Sequence, residues 1–178
     1  MTQRLGLLGR IAQLFRPARP VAGGSAATLR ATGGHERGRS GATATVEIVP
    51  PARGDLRITY APDADGDPDA GEVIWTWVPY DENDGRGKDR PVLVIGRLDD
   101  DRVYAVRLTS KSRDGDRDYL GIGPGGWDAR GRPSWVDVEQ IYRVHREGMR
   151  REASVLDLDR FVRVADALHR RYGWDVGN

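Results

Sequence analysis

GEVIWTWVPYDENDGRGKDRPVLVIGR, residues 71–97, decides how this chain is to be read. Val73–Val78 and Pro91–Arg97 are apolar runs with strand composition, and a polar, glycine-bearing loop joins them. Arg86, Lys88 and Arg90 fall where the chain re-enters the second run. Cations at a loop–strand junction can cradle phosphate, so a nucleic-acid enzyme or binder is the first function to test. Further along, Arg102–Thr109, Tyr119–Ile122 and Ser134–Val144 also read as strands, with a tight acidic turn at Leu98–Asp101. Short consecutive strands with short connections predict an antiparallel meander that closes on itself. Asp157 then suits a helix N-cap, and Leu158, Phe161, Val162, Ala165, Leu168 and Tyr172 recur at helical spacing up to Gly173. The predicted fold is mainly β: a small barrel of about five or six strands, sealed by one C-terminal helix.

The 178 residues suffice for one domain with extra segments, and the apolar share of 38% is low for a chain packed throughout. Net charge is +1, but it is unevenly spread. Residues 1–60 hold nine arginines against three acids, a balance of +6. Asp63, Asp65, Asp67 and Asp69 supply much of the opposing charge. A polyanion site on the C-terminal part must therefore be a local patch. There is no cysteine, which excludes disulfides, thiolate metal sites and a cysteine nucleophile, and which fits a cytoplasmic protein. No apolar run is long enough to cross a bilayer, so stable membrane insertion is not expected.

Three regions follow. Residues 1–44 read as a basic, mostly disordered arm: a short amphipathic segment over 1–19, then a linker rich in Gly, Ala, Ser and Thr. Residues 45–70 read as an accessory hairpin, Val46–Val49 with Leu56–Tyr60, followed by an acidic linker. The acidic DADGDPDAG lacks the glutamate that closes a calcium loop and contains Pro68, so it reads as solvated chain. Residues 71–174 read as the barrel domain.

GEVIWTWVP, GKDRPVLVIG and VRLTSKSRD, in that order, resemble the N-terminal blocks of the PemK/MazF toxins of bacterial type II toxin–antitoxin systems. The resemblance runs from about Gly71 to Tyr172 and implies an SH3-like barrel that forms a homodimer. It implies a sequence-selective, metal-independent endoribonuclease acting on single-stranded mRNA, with no cofactor, neutralised by a cognate antitoxin protein. The motif arginine falls on Arg90 and the motif threonine on Thr109, giving these two the catalytic roles. Chemistry agrees with that assignment. A guanidinium is a fixed charged fork for phosphate oxygens, and a threonine hydroxyl can donate to the same group. Lys88, Arg86, Ser110, Lys111 and Arg113 are the accompanying substrate-binding candidates. The chain departs from the pattern at Asp89, which could lower the local potential or orient the guanidinium, and in the long glycine-rich GIGPGGWDARGRPSW.

No general base stands out. His35, His145 and His169 are scattered, and none has metal-ligand spacing with another. Asp89, Asp114 and Asp116 are carboxylate candidates. Trp75 and Trp135 suit a core, whereas Trp127, among glycines, suits an exposed platform for stacking bases. Two other readings stay open. The barrel could be a non-catalytic module that binds nucleic acid, DNA included, or protein. The basic arm could tether the domain to membrane or nucleic acid.

Overall fold

The computed structural model describes residues 37–63, 65–80 and 84–177. The expected amphipathic segment over 1–19, the start of the linker and His35 lie outside the described residues. The elements are β1 (Val46–Ile48), β2 (Arg57–Ile58), β3 (Glu72–Pro79), β4 (Gly87–Arg97), β5 (Arg102–Thr109), β6 (Tyr119–Gly123), β7 (Ser134–His145), β8 (Met149–Val155), α1 (Leu158–Tyr172) and β9 (Asp175–Val176). Seven strands form one antiparallel sheet in the order β1-β7-β5-β4-β3-β8, with β6 also paired to β7. β2 and β9 make a separate parallel pair.

The run Val92–Ile95 explains why the sheet is so apolar at its centre. Successive strand side chains point to opposite faces, so a strand covered on both sides needs no polar alternation. Leu93 and Ile95 enter one core with Val106, Leu108, Phe161 and Leu168, while Val92 and Val94 enter a second with Ile74, Ala105, Tyr142 and Val144. The first core lies between sheet and helix, and the second is built from sheet residues together with Ala70.

The two ends of the sheet meet at a buried seam. Thr45 immediately precedes β1, and Thr76 sits in β3 beside the other edge strand. Thr76 Oγ1 donates to the carbonyl oxygen of Gly148 at 3.1 Å. Its single proton is thereby used, so the 2.6 Å contact with Thr45 Oγ1 has Thr45 as donor. Gly148 admits no side chain: an added Cβ would lie 2.2 Å from the Thr43 carbonyl oxygen. These contacts draw the β1 edge onto the β3–β8 edge and close the barrel.

The helix obeys its sequence signals. The Asp157 carboxylate accepts from the Arg160 amide at 3.0 Å, and Gly173 adopts φ 71°, the left-handed cap that glycine takes without strain. Its buried stripe is Phe161, Val164, Ala165 and Leu168. Leu158 and Val162, expected inside, are exposed, because the helix seats on the sheet through a face centred one position away.

Three further expectations change. The accessory hairpin does not form: β1 pairs with β7, Val46 facing Arg143, and β2 pairs with β9, Arg57 facing Asp175. Leu56 and Ile58 are buried in the helix-side core, which pins β2 there. β4 begins at Gly87, so Lys88, Asp89 and Arg90 belong to a strand that pairs with β3 and not to the loop. β8 was not apparent from its charged sequence, MRREASV.

Replacing Thr76 by Val should leave Thr45 Oγ1 and the Gly148 carbonyl buried without their partner and lower stability by about 1–3 kcal/mol in urea unfolding. A Thr45→Val/Thr76→Val double variant should lose less than the sum of the single losses. Wild-type stability for Thr76→Val would mean the seam contributes nothing to closure.

Candidate active site

β4 and β5 run antiparallel, with Val92 facing Arg107 and Leu93 facing Val106. The pairing ends at Val92 and Arg107, and Arg90 and Thr109 lie two residues beyond it on their strands. Both are half-buried and line one cavity of about 540 Å³. On its other side Arg90 faces Thr76 of the closing seam. Lys88, Ser110, Lys111 and Arg113 line the same cavity. Arg130 and Arg132, which the sequence reading passed over, line it too. Six cations therefore face two carboxylates, Asp89 and Asp128. A net charge of +1 over the chain thus coexists with a strongly cationic local field.

Thr109 is oriented by its own turn. Its Oγ1 accepts the backbone N–H of Lys111 at 3.2 Å. That bond uses a lone pair and leaves the hydroxyl proton free to be donated. The adjoining carboxylates are structural. Asp114 accepts from Ser112 Oγ at 2.9 Å and from Trp135 Nε1 at 3.2 Å. Asp116 accepts the Asp118 amide at 3.1 Å and lies 4.0 Å from Arg113. The Arg113 guanidinium stacks over Tyr119, 4.6 Å from the ring centre. Asp89 pairs with Arg150 Nε at 2.5 Å, so its carboxylate is anchored to β8.

The glycine-rich segment between β6 and β7 is a built wall. Trp127 is only 2% exposed and donates from Nε1 to Ser134 Oγ at 3.0 Å. This corrects the expected exposed platform: Trp127 plugs the loop into the core and offers no face to a base. Trp135 is buried as expected, whereas Trp75 is half-buried and lines the cavity. Arg160 of α1 holds the loop from outside through the carbonyl oxygens of Ile122 (3.0 Å) and Pro124 (2.7 Å), and its guanidinium lies 5.5 Å from the Trp127 ring centre. Asp128 accepts the Arg130 amide at 2.9 Å and pairs with Arg132 Nε at 2.8 Å. The Arg130 amide and then the Arg132 guanidinium hold the Asp128 carboxyl below the usual carboxylate range. An Asp two residues before one arginine and four before another was the signal available for this turn.

Beneath the site a buried ion pair ties β5 to β7. Arg107 Nη2 donates to Asp137 Oδ2 at 2.7 Å and to the Tyr119 hydroxyl at 3.3 Å. Asp137 Oδ1 accepts the amides of Glu139 (3.0 Å) and Gln140 (3.2 Å). The Tyr172 hydroxyl reaches the carbonyl oxygens of Val138 (3.0 Å) and Glu139 (2.8 Å). These bonds hold a bulge, where Val106 faces Ile141 but Leu108 faces Val136. Burial opposes the Arg107 charge, but Tyr142 and Asp137 outweigh it and hold the guanidinium above its ordinary value. Burial, then the charge of Asp137, pushes the Tyr119 hydroxyl up.

Arg86 departs from the expected cluster. It does not line this cavity and instead pairs with Asp84 at 2.6 Å. His145 Nδ1 accepts the Glu147 amide at 3.1 Å, and His169 Nδ1 lies 2.6 Å from the Trp174 carbonyl oxygen. Neither histidine lines the cavity. Among the described residues, no three His, Asp or Glu side chains gather in a metal-holding group, and no helix is long and apolar enough to cross a membrane.

The model of the PemK-like, MazF-like toxin of type II toxin–antitoxin systems matches residues 69–171. The chain belongs to this family. The match spans β3 through most of α1 and includes every residue of the cavity; residues 1–68 lie outside it. Among solved structures, MazF from Deinococcus radiodurans is 20% identical, with 60% of this chain and 97% of that one covered and a TM-score of 0.48. An endoribonuclease in complex with its cognate antitoxin from a mycobacterial species is 18% identical, covering 58% and 93%, with a TM-score of 0.47. The Mycobacterium tuberculosis toxin MazF-mt6 is 17% identical, covering 58% and 98%, with a TM-score of 0.43. The assignment stands on the family match. No curated protein matches the chain.

Replacing Arg107 by Met should strand the buried Asp137 carboxylate and destabilise this family member by about 3–5 kcal/mol in chemical denaturation. Adding Asp137→Leu should recover part of that loss. A loss below about 1 kcal/mol for Arg107→Met would mean water reaches the pair.

Proposed function

We propose that this chain is a sequence-selective, metal-independent endoribonuclease toxin that cleaves single-stranded mRNA, with Arg90 and Thr109 as its catalytic residues. The observation that carries this reading is the cavity just beyond the last β4–β5 pair, lined by Arg90, Thr109 and five further cations. Family membership supports the reaction class and a cognate antitoxin as partner. A homodimer and a cytoplasmic location belong to the same reading.

The ribose 2′-oxygen attacks the adjacent phosphorus, forming a 2′-O–P bond while the P–5′-O bond breaks. The 2′ proton passes to a base, and the leaving 5′-oxygen takes up a proton. Negative charge accumulates on the non-bridging oxygens of the five-coordinate phosphorus. Arg90 binds those oxygens through its planar fork, and the Thr109 hydroxyl donates to one of them. Because a strand carries each group, neither must be reorganised as the charge develops. Lys88, Lys111, Arg113, Arg130 and Arg132 hold the flanking phosphates. They add affinity without reading bases and make binding fall with salt.

Full-length protein incubated with mixed single-stranded RNA in EDTA should leave fragments bearing cyclic or 3′-terminal phosphate. Arg90→Ala should reduce the rate by about 10²–10³-fold, and Thr109→Val should also reduce it. Cleavage that Arg90→Ala leaves unchanged, or that EDTA abolishes, sinks the proposal. Salt-sensitive binding of RNA that stays intact would identify a binding module instead.

A further inference from the structure

Trp75 and Trp77 stand two residues apart on β3, on the same side of the strand and about 7 Å from each other along it. Trp75 lines the cavity described above, and Trp77 lines a second cavity of about 600 Å³. One wall of this second cavity is Tyr80 and Arg86, at the β3–β4 connection. The other wall comes from Arg39 and the β1 segment, which lie outside the family match. The Arg39 guanidinium sits over the Trp77 ring, 5.2 Å from its centre, and Arg39 is exposed. A guanidinium stacked on an indole offers its outer plane to a further flat group, and unpaired bases stack on arginine planes as they do on aromatic rings.

Geometry narrows the occupant. Arg39 and Arg86 line this groove with Glu47, and Arg86 is already paired with Asp84, so the exposed Arg39–Trp77 stack is what distinguishes it. Trp75 in the cationic cavity and Trp77 in this groove share one face of β3, so a strand of RNA held in the first lies within reach of the second. We infer that single-stranded RNA leaving the Arg90–Thr109 cavity runs along β3 into this second groove. There an unpaired base stacks on the Arg39–Trp77 pair. This rests on the endoribonuclease reading and adds to it a nucleotide subsite, one wall of which the N-terminal extension supplies.

The test uses the full chain and 2′-O-methyl oligonucleotides, which cannot be cleaved, at lengths of about four and about nine nucleotides. Fluorescence anisotropy should show the longer probe binding about tenfold more tightly, and Arg39→Ala should remove most of that length advantage. A nine-nucleotide probe bearing 5-iodouridine should photo-crosslink, in the wild-type protein, to the peptide containing Trp77 and Tyr80. Equal length dependence in wild type and Arg39→Ala, or crosslinks confined to other segments, overturns the subsite. So does a wild-type protein that binds neither probe. Length-dependent binding lost in Arg39→Ala, in a protein that cleaves no RNA, supports the subsite and rejects only the catalytic reading.

Discussion

The antiparallel pairing of β4 with β5 is the constraint on which the rest of the molecule depends. It ends two residues short of Arg90 and Thr109, which line one cavity, and a slip of one residue would turn one of the two to the opposite face. Packing on both faces prevents the slip. Leu93 and Ile95 fill the helix-side core and Val92 and Val94 the other, so a one-residue shift would exchange both sets at once. The geometry of the candidate site and hydrophobic burial are thus specified by the same few residues. The Arg107–Asp137 pair extends that control to β7, one step below Thr109, by holding the bulge that lets the strand turn toward the glycine-rich wall.

The site's electrostatics are local by construction. Of the lining carboxylates, Asp89 pairs with Arg150 outside the cavity and Asp128 with Arg132 on its wall, which still leaves a surplus of cations. The surplus sits where backbone is held firmly: on β4, at the turn after β5, and on a loop clamped by Trp127 and Arg160. Groups held in this way need little rearrangement to meet a developing negative charge, which is what electrostatic catalysis requires.

Much of this was legible in the sequence, and the parts that were not share a cause. β3, β5, β6, β7 and α1 announce themselves through apolar runs, turn residues and the Asp157 and Gly173 caps, all local signals. Arg90 and Thr109 stand out in the sequence because ordered motifs carry them. β1 and β2 were misread as partners because two nearby alternating runs look like a hairpin, whereas their real partners lie about a hundred residues away. β8 hid because an edge strand needs few apolar residues and tolerates many charges. Trp127 was judged by its glycine neighbours. Those glycines instead permit close packing, since a Cβ on Gly125 would lie 2.2 Å from the Trp127 ring.

The parallel contact between β2 and β9 has a consequence for synthesis. Leu56 and Ile58 are made early, yet the strand that pairs with Arg57 and Ile58, and Trp174, whose Nε1 donates to the Pro51 carbonyl at 2.9 Å, come from the far end of the fold. During translation this early segment stays without its native cover while the sheet strands emerge. Chaperones and proteases meet it in that interval, so the growing polypeptide is most vulnerable until its distal residues arrive to clasp it.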